Sequence, residues 1–278
     1  MLSRSTVLPD GVEAVRMHTT RGQFAALAAT PATAAHGLVL LVPGYTGSKE
    51  DFAPLLPLLA CGGWLALAYD QCGQYETPAG PGADFSLDSL AADARAMAAS
   101  VDGPGRTHLL GHSLGGLVAQ AAVVGAPEAW DRVTLLCTGP GAFDDPEQRQ
   151  DLTDMRELLA KHPPEVVHDI RLQQKLERGE PEQPPEAAAF LRKRFVASSP
   201  DCISAFAGHL LEAPDRVGEV APTKVPVTVV RGAEDDAWSW AAQDDMARRL
   251  GTEVVVVDDA AHSPAVENPE ALAAVLLA

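Results

Sequence analysis

What the chain lacks narrows its class before any motif is read. No window of its 278 residues holds the roughly 18 uninterrupted apolar residues that a membrane-spanning helix needs. Residues 1–10 carry neither a long apolar core nor a small-residue cleavage site, so no signal peptide is expected. Basic residues are scarce: 21 Lys and Arg stand against 38 Asp and Glu, a formal charge of −17. A surface of that sign repels phosphate backbones, which argues against a nucleic-acid partner. The four cysteines, Cys61, Cys72, Cys137 and Cys202, are widely spaced and form no CxxC pair. Without an export signal, free thiols in a reducing cytoplasm are the expectation. No internal repeat is visible.

What is present is a large apolar fraction, 46 % of the chain, enough for a sizeable core. Residues 12–18 and 23–29 read as an antiparallel hairpin. Residues 37–42 (GLVLLV) and 64–69 (WLALAY) are continuous apolar runs, as expected of parallel strands buried on both faces. Further strands are expected at 107–110, 132–137, 225–231 and 253–257. Helices are expected at 51–60, 86–99, 114–124, 239–250 and 269–277. This alternation implies an α/β domain: a mostly parallel central sheet with helices on both faces. Residues 139–220 break the rhythm. There 26 of 82 residues are charged, against 33 of the other 196, and the buried-strand runs stop. Helical pieces remain at 152–161, 165–178, 186–195 and 202–211. The segment reads as a helical cap inserted in a core made of residues 1–138 and 221–278.

Gly111-His112-Ser113-Leu114-Gly115 matches G-x-S-x-G between an expected strand and an expected helix, the context in which that motif has meaning. The glycines allow a sharp reversal that lifts the Ser113 hydroxyl to the mouth of the helix. There the helix dipole and free amides favour the anion of acyl transfer. Gly116 lets the helix approach its neighbours. Ser113 is thus the candidate nucleophile, and it needs a base. His262, just past the last strand, lies at the sheet edge where Ser113 also falls. The side chain of His112, next to the nucleophile, is expected to point away from it. The third member is a carboxylate. Asp235, beyond the strand at 225–231, is the first choice, with Glu234 and Asp236 as alternatives. The chain order Ser113, Asp235, His262 is the one this topology demands. The loop Pro43-Gly44-Tyr45-Thr46-Gly47 follows the first long strand. Its Tyr45 amide, with that of Leu114, is the candidate pair of oxyanion donors.

Together PGYTGSKEDF at 43–52, YDQCGQYET at 69–77, GHSLGG at 111–116, RGAEDD at 231–236 and AAHSP at 260–264 resemble the α/β-hydrolase superfamily, in particular its members with a helical lid. The resemblance covers residues 12–277. It departs at Pro43, where the family has His before Gly. It departs again at Cys72 and Tyr75, where the family has Arg and a second Gly. It implies a Ser-His-Asp hydrolase acting through an acyl-enzyme, with a carboxylic ester of a small molecule as the leading substrate class. Lactone, thioester, amide or carbon–carbon bond hydrolysis and acyl transfer remain alternatives, as does a non-catalytic small-molecule receptor. No metal or organic cofactor is implied, and no membrane partner. The lid implies lining residues, for which Tyr45, Leu114, Phe143, Phe206 and Trp238 are candidates.

Overall fold

The computed structural model describes residues 8–102 and 105–278. The signal-peptide reading of residues 1–7 and the chain at 103–104 lie outside the described residues. Eight strands form one sheet: β1 (Val12–Thr19), β2 (Gly22–Ala29), β3 (Leu38–Val42), β4 (Leu65–Tyr69), β5 (Thr107–His112), β6 (Arg132–Leu136), β7 (Val227–Gly232) and β8 (Val254–Val257). Their order is β1-β2-β4-β3-β5-β6-β7-β8. The hairpin β1–β2 and the pair β2–β4 are antiparallel, and every other pair is parallel. The order reverses at β3. The chain leaves β3 toward β4, then returns to β5 on the other side, where Val42 pairs with Gly111. Such a reversal opens a crevice at the C-terminal ends of the two strands, the usual ligand site of open α/β sheets.

The pleat divides the apolar runs between two cores. Leu38, Leu40 and Val42 face one core with α2 (Leu87–Ala99) and α3 (Leu114–Gly125). Val39 and Leu41 face the other, with α1 (Leu56–Cys61). Burial on both faces is why β3 and β4 read as unbroken apolar runs rather than alternating ones.

Between β6 and β7 lie α4 (Pro146–Lys161), α5 (Pro164–Glu177), α6 (Pro185–Ala197) and α7 (Pro200–Glu212), followed by a single turn, α8 (Val217–Val220). Each of the four long helices opens on proline, whose fixed φ suits the first turn and whose missing N–H would have no partner there. These prolines, with the capping side chains of Asp145 and Ser199, start the helices earlier than their apolar periodicity suggests; α4 begins at Pro146, not at 152. Met155, Val167, Phe195 and Ile203 form a small apolar cluster of their own, against which Tyr45 of the core packs. After β7 come α9 (Trp240–Arg249), β8, α10 (Pro264–Glu267) and α11 (Pro269–Leu277).

One expected helix is corrected. Residues 51–60 split into a 3-10 turn, Lys49–Phe52, and the separate α1. Pro57 cannot sit inside a helix begun at 51, because it lacks an N–H and its ring crowds the carbonyl four residues earlier. Among the described residues no helix is long and apolar enough to cross a membrane.

Candidate active site

Ser113 occupies the joint between β5 and α3 with φ 54° and ψ −120°, a conformation that L-residues hold only when their surroundings enforce it. The glycines show what enforces it. A Cβ on Gly111 would collide with the Gly115 carbonyl, and one on Gly115 with the carbonyls of Val42 and Pro43. A side chain on Gly116 would strike Thr138, just beyond β6, so α3 packs onto the sheet at backbone distance. Ser113 is buried, at 5 % exposure.

The candidate base and the candidate acid meet. His262 Nδ1 lies 2.7 Å from Asp235 Oδ1. Asp235 is buried, whereas its neighbours Glu234 and Asp236 are exposed, so of the three adjacent acids the fold brings only Asp235 to His262. Its other oxygen accepts from Gln243 Nε2 at 3.0 Å, and Oδ1 also accepts from the Ala237 amide at 3.3 Å. Burial alone would raise the Asp235 pKa; the hydrogen bond and charge of His262, then the Gln243 and Ala237 donors, bring it below the usual carboxylate range. Asp235 is therefore an acceptor for the Nδ1 proton of His262, which leaves Nε2 as the atom able to take a proton.

His112, whose side chain was expected to point away from Ser113, has a partner of its own. Its ring centroid is 4.9 Å from that of His262, and its Nε2 lies 2.6 Å from the His262 carbonyl. The residue beside the candidate nucleophile thus touches the loop that carries the candidate base.

On the opposite side, a turn closed by the Gly47 N–H to the Gly44 carbonyl at 3.1 Å lies directly on the elbow. A Cβ on Gly44 would stand 3.0 Å from that of Ser113. This bond does not use the Tyr45 amide, and Leu114 supplies the first amide of α3, a position with no intrahelical acceptor. The segment after β4 holds the turn. Gln71 Nε2 donates to the Pro43 carbonyl at 3.0 Å, and Gln74 Nε2 to the Gly44 carbonyl at 2.8 Å. Nearby, the buried Lys49 ammonium meets Asp70, Glu50 and Glu76, each within 2.9 Å. Burial opposes its charge, but the carboxylates prevail and hold its pKa well above the ordinary lysine range. Tyr75 keeps a φ of 38°, the left-handed backbone that a glycine would favour at that motif position. Its amide donates to Ser198 Oγ at 3.0 Å and its ring meets Phe190 edge-on, both on the inserted helical segment. Arg194 of α6 makes a second tie, 2.6 Å from Asp51 Oδ1.

The proposed lining residues fall in three settings. Phe206 and Trp238 are fully buried, and the Trp238 indole N–H donates to the Gly141 carbonyl at 3.1 Å. Phe143 is half-buried and packs on Trp238, ring centroids 4.4 Å apart. Tyr45 is half-buried against the cluster of the inserted helices, and Leu114 is buried at the elbow. Reading the sequence missed Gln71, Gln74 and Glu267. The last accepts from the Ala261 and Ser263 amides at 2.8 and 3.0 Å; its position in the turn after Ser263-Pro264 is the signal that could have found it. Among the described residues, His112, Cys137 and His262 bring possible metal-ligand atoms within 4.8 Å of one another, but Nε2 of His112 and Nδ1 of His262 are already in hydrogen bonds.

A sequence profile described as the Alpha/beta hydrolase family matches residues 39–275, from β3 to α11, and every residue of the arrangement above. The chain belongs to that family. Among curated relatives, RutD of Variovorax paradoxus (strain S110), named as a proposed carbamate hydrolase, is 36 % identical over 89 residues, 32 % of this chain and 33 % of that protein; the match spans only about a third of the relative's length. Among solved structures, an esterase from Thermogutta terrifontis superposes with a TM-score of 0.74 at 22 % identity, covering 95 % of this chain and 96 % of that one. The enol-lactonase of Burkholderia xenovorans LB400 gives 0.74 at 20 % identity, covering 95 % and 98 %. At such identities the structures establish the shared fold.

Proposed function

We propose that this α/β-hydrolase cleaves a carboxylic ester of a small molecule through a triad of Ser113, His262 and Asp235. One observation carries the reading: a histidine paired through Nδ1 with a buried aspartate, on a loop held against His112, the residue that precedes a serine in the strained elbow conformation. Ser113 Oγ attacks the acyl carbon while His262 Nε2 takes its proton. The amides of Tyr45 and Leu114 receive the oxyanion, each donor worth on the order of 3 kcal/mol in the transition state. His262 protonates the leaving alcohol, and a water activated by the same nitrogen frees the acid. Residues 139–220 act as the cap, tied down through Arg194, Ser198 and Tyr45 on the oxyanion side. Four free thiols fit a reducing, cytoplasmic setting.

The test is the hydrolysis of p-nitrophenyl esters of increasing acyl length by wild type beside Ser113→Ala. Wild-type turnover that falls at least about a thousandfold in the variant is expected. Full turnover by Ser113→Ala would overturn the reading. The RutD match makes a carbamate the second probe to try, since the same attack on an acyl carbon would serve both.

A further inference from the structure

We infer that His112 and Glu267 are positioning residues, which clamp the main chain of the His262 loop to the nucleophile elbow. The inference rests on the proposed role of His262 as base. Asp235 fixes only the His262 ring; the backbone beneath it needs anchors of its own. His112 supplies one on the carbonyl side, where Nε2 lies 2.6 Å from the His262 oxygen. A carbonyl can only accept, so Nε2 of His112 carries the proton. Burial holds the ring neutral, its pKa lowered to about 4, which leaves Nδ1 bare on the side that faces Gly44. Phe52 meets the ring edge-on at 6.5 Å between centroids, and a Cβ on Gly44 would stand 3.4 Å from its Nδ1. Glu267 supplies the other anchors. One carboxylate oxygen accepts from the amides of Ala261 and Ser263, the residues on either side of the base. Three hydrogen bonds from two side chains therefore bracket the His262 peptide. Since His112 immediately precedes Ser113, the clamp ties base and nucleophile into one rigid unit. A displacement of about 1 Å between such groups can cost about a hundredfold in rate.

The test uses the purified full chain and two readouts. The first is the second-order rate at which a fluorophosphonate labels Ser113, followed by intact mass: the Ser113 Oγ–phosphorus bond forms, fluoride leaves, and His262 takes the serine proton. The second is kcat and KM on p-nitrophenyl butyrate. His112→Phe keeps the ring and loses the donor; His112→Gln keeps an N–H at similar reach. Glu267→Met loses the acceptor; Glu267→Gln keeps one carbonyl oxygen. The Phe and Met variants are expected to label roughly 10- to 100-fold more slowly. Their kcat falls in step with KM nearly unchanged, and the Gln variants recover most of the loss. Glu267 is partly exposed, so that pair stands as the test even if His112→Phe does not fold. Met and Phe variants that label at the wild-type rate, while His262→Ala does not label, would overturn the clamp and leave the triad standing. Gln variants as slow as their Met and Phe counterparts would overturn it too, by removing the hydrogen bonds as the cause. A wild type that labels no faster than Ser113→Ala would sink the triad and the clamp together.

Discussion

Helices α3 and α4 are of similar length and live under opposite constraints. Ten of the twelve residues of α3 are buried and none is charged. Of the sixteen in α4 only Leu152 and Met155 are buried. The first helix carries the candidate nucleophile and touches the sheet at backbone distance. The second reaches the main core only through Leu152 and a minor apolar cluster through Met155, and is wrapped in ion pairs, such as Asp151 with Arg171 and Arg178 and Glu157 with Lys161. Where the backbone itself is in contact, each residue is dictated by shape. Where charged side chains meet water, many sequences serve, and each exposed pair is worth about 0–1 kcal/mol.

The largest test of that contrast compares two aspartates. Asp235→Asn keeps the shape of the acid but no longer stabilises a charged His262 and favours the wrong tautomer, so kcat should fall about 10³- to 10⁴-fold. Asp151→Asn breaks two half-exposed pairs of the inserted helices and should leave kcat within about twofold, with stability changed by about 1 kcal/mol at most. Ester turnover by the two variants, with urea midpoints beside it, decides. Equal losses would erase the contrast.

Acid separates buried groups from surface ones next. Burial lowers the pKa of His108 to about 3 and that of His112 to about 4, both below the ordinary value of 6.5. Between pH 6.5 and those values the unfolded chain binds protons that the folded chain refuses. Stability therefore drops as pH falls through that window, by about 4 kcal/mol between pH 6.5 and 4.5 for the pair. The surface acids Asp215 and Asp245, held below their usual range by hydrogen bonds from Arg249 and Arg248, lose their stabilisation only below their ordinary pKa. Urea midpoints at successive pH values should slope from pH 6.5 downward, and His108→Gln, which keeps a hydrogen-bonding group toward Thr134 Oγ1, should flatten the slope.

Arg194 sharpens the comparison because it belongs to the insertion yet behaves like the core. It is buried, and its guanidinium meets Asp51 and Ser48 beside the Gly44–Gly47 turn. Arg194→Met withdraws one partner of a buried pair and should cost about 3 kcal/mol. The loss should appear as faster proteolytic cleavage within residues 146–212 before global unfolding. Cleavage at the wild-type rate would mean that the insertion is held by its other contacts, the Tyr75–Ser198 hydrogen bond among them, without Arg194.

The same contrast explains what could be read from the chain. Ser113 and His262 stand out as candidates in the sequence because a strand–turn–helix context and chain order single them out. Asp235 was legible only as one of three, since burial, which separates it from Glu234 and Asp236, exists only in the folded chain. The sheet was legible because two-sided burial writes continuous apolar runs. The helix expected at 51–60 failed because Pro57 was given too little weight against apolar content. The contact of His112 with the His262 carbonyl joins residues 150 positions apart, and no local pattern encodes it. The inserted helices were legible as helices, but not in their starts, because charged first turns behind proline carry no apolar period.

The smallest effect bears most directly on the contrast, because it uses one substitution in two places. A methyl on Gly115 would collide with the Val42 carbonyl and come within 2.8 Å of that of Pro43, both at the end of β3. Neither can retreat without moving the Gly44–Gly47 turn, so Gly115→Ala should destabilise by about 3 kcal/mol. A methyl on Gly208, inside α7, would meet only the tip of the Arg156 side chain, at 3.8 Å. There the change removes the conformational freedom of glycine from a helix interior and should stabilise by about 0.8 kcal/mol. The two urea midpoints should move in opposite directions from wild type. A destabilised Gly208→Ala would show that the insertion packs as tightly as the elbow, and the division between shape-dictated core and tolerant insertion would have to be redrawn at α7.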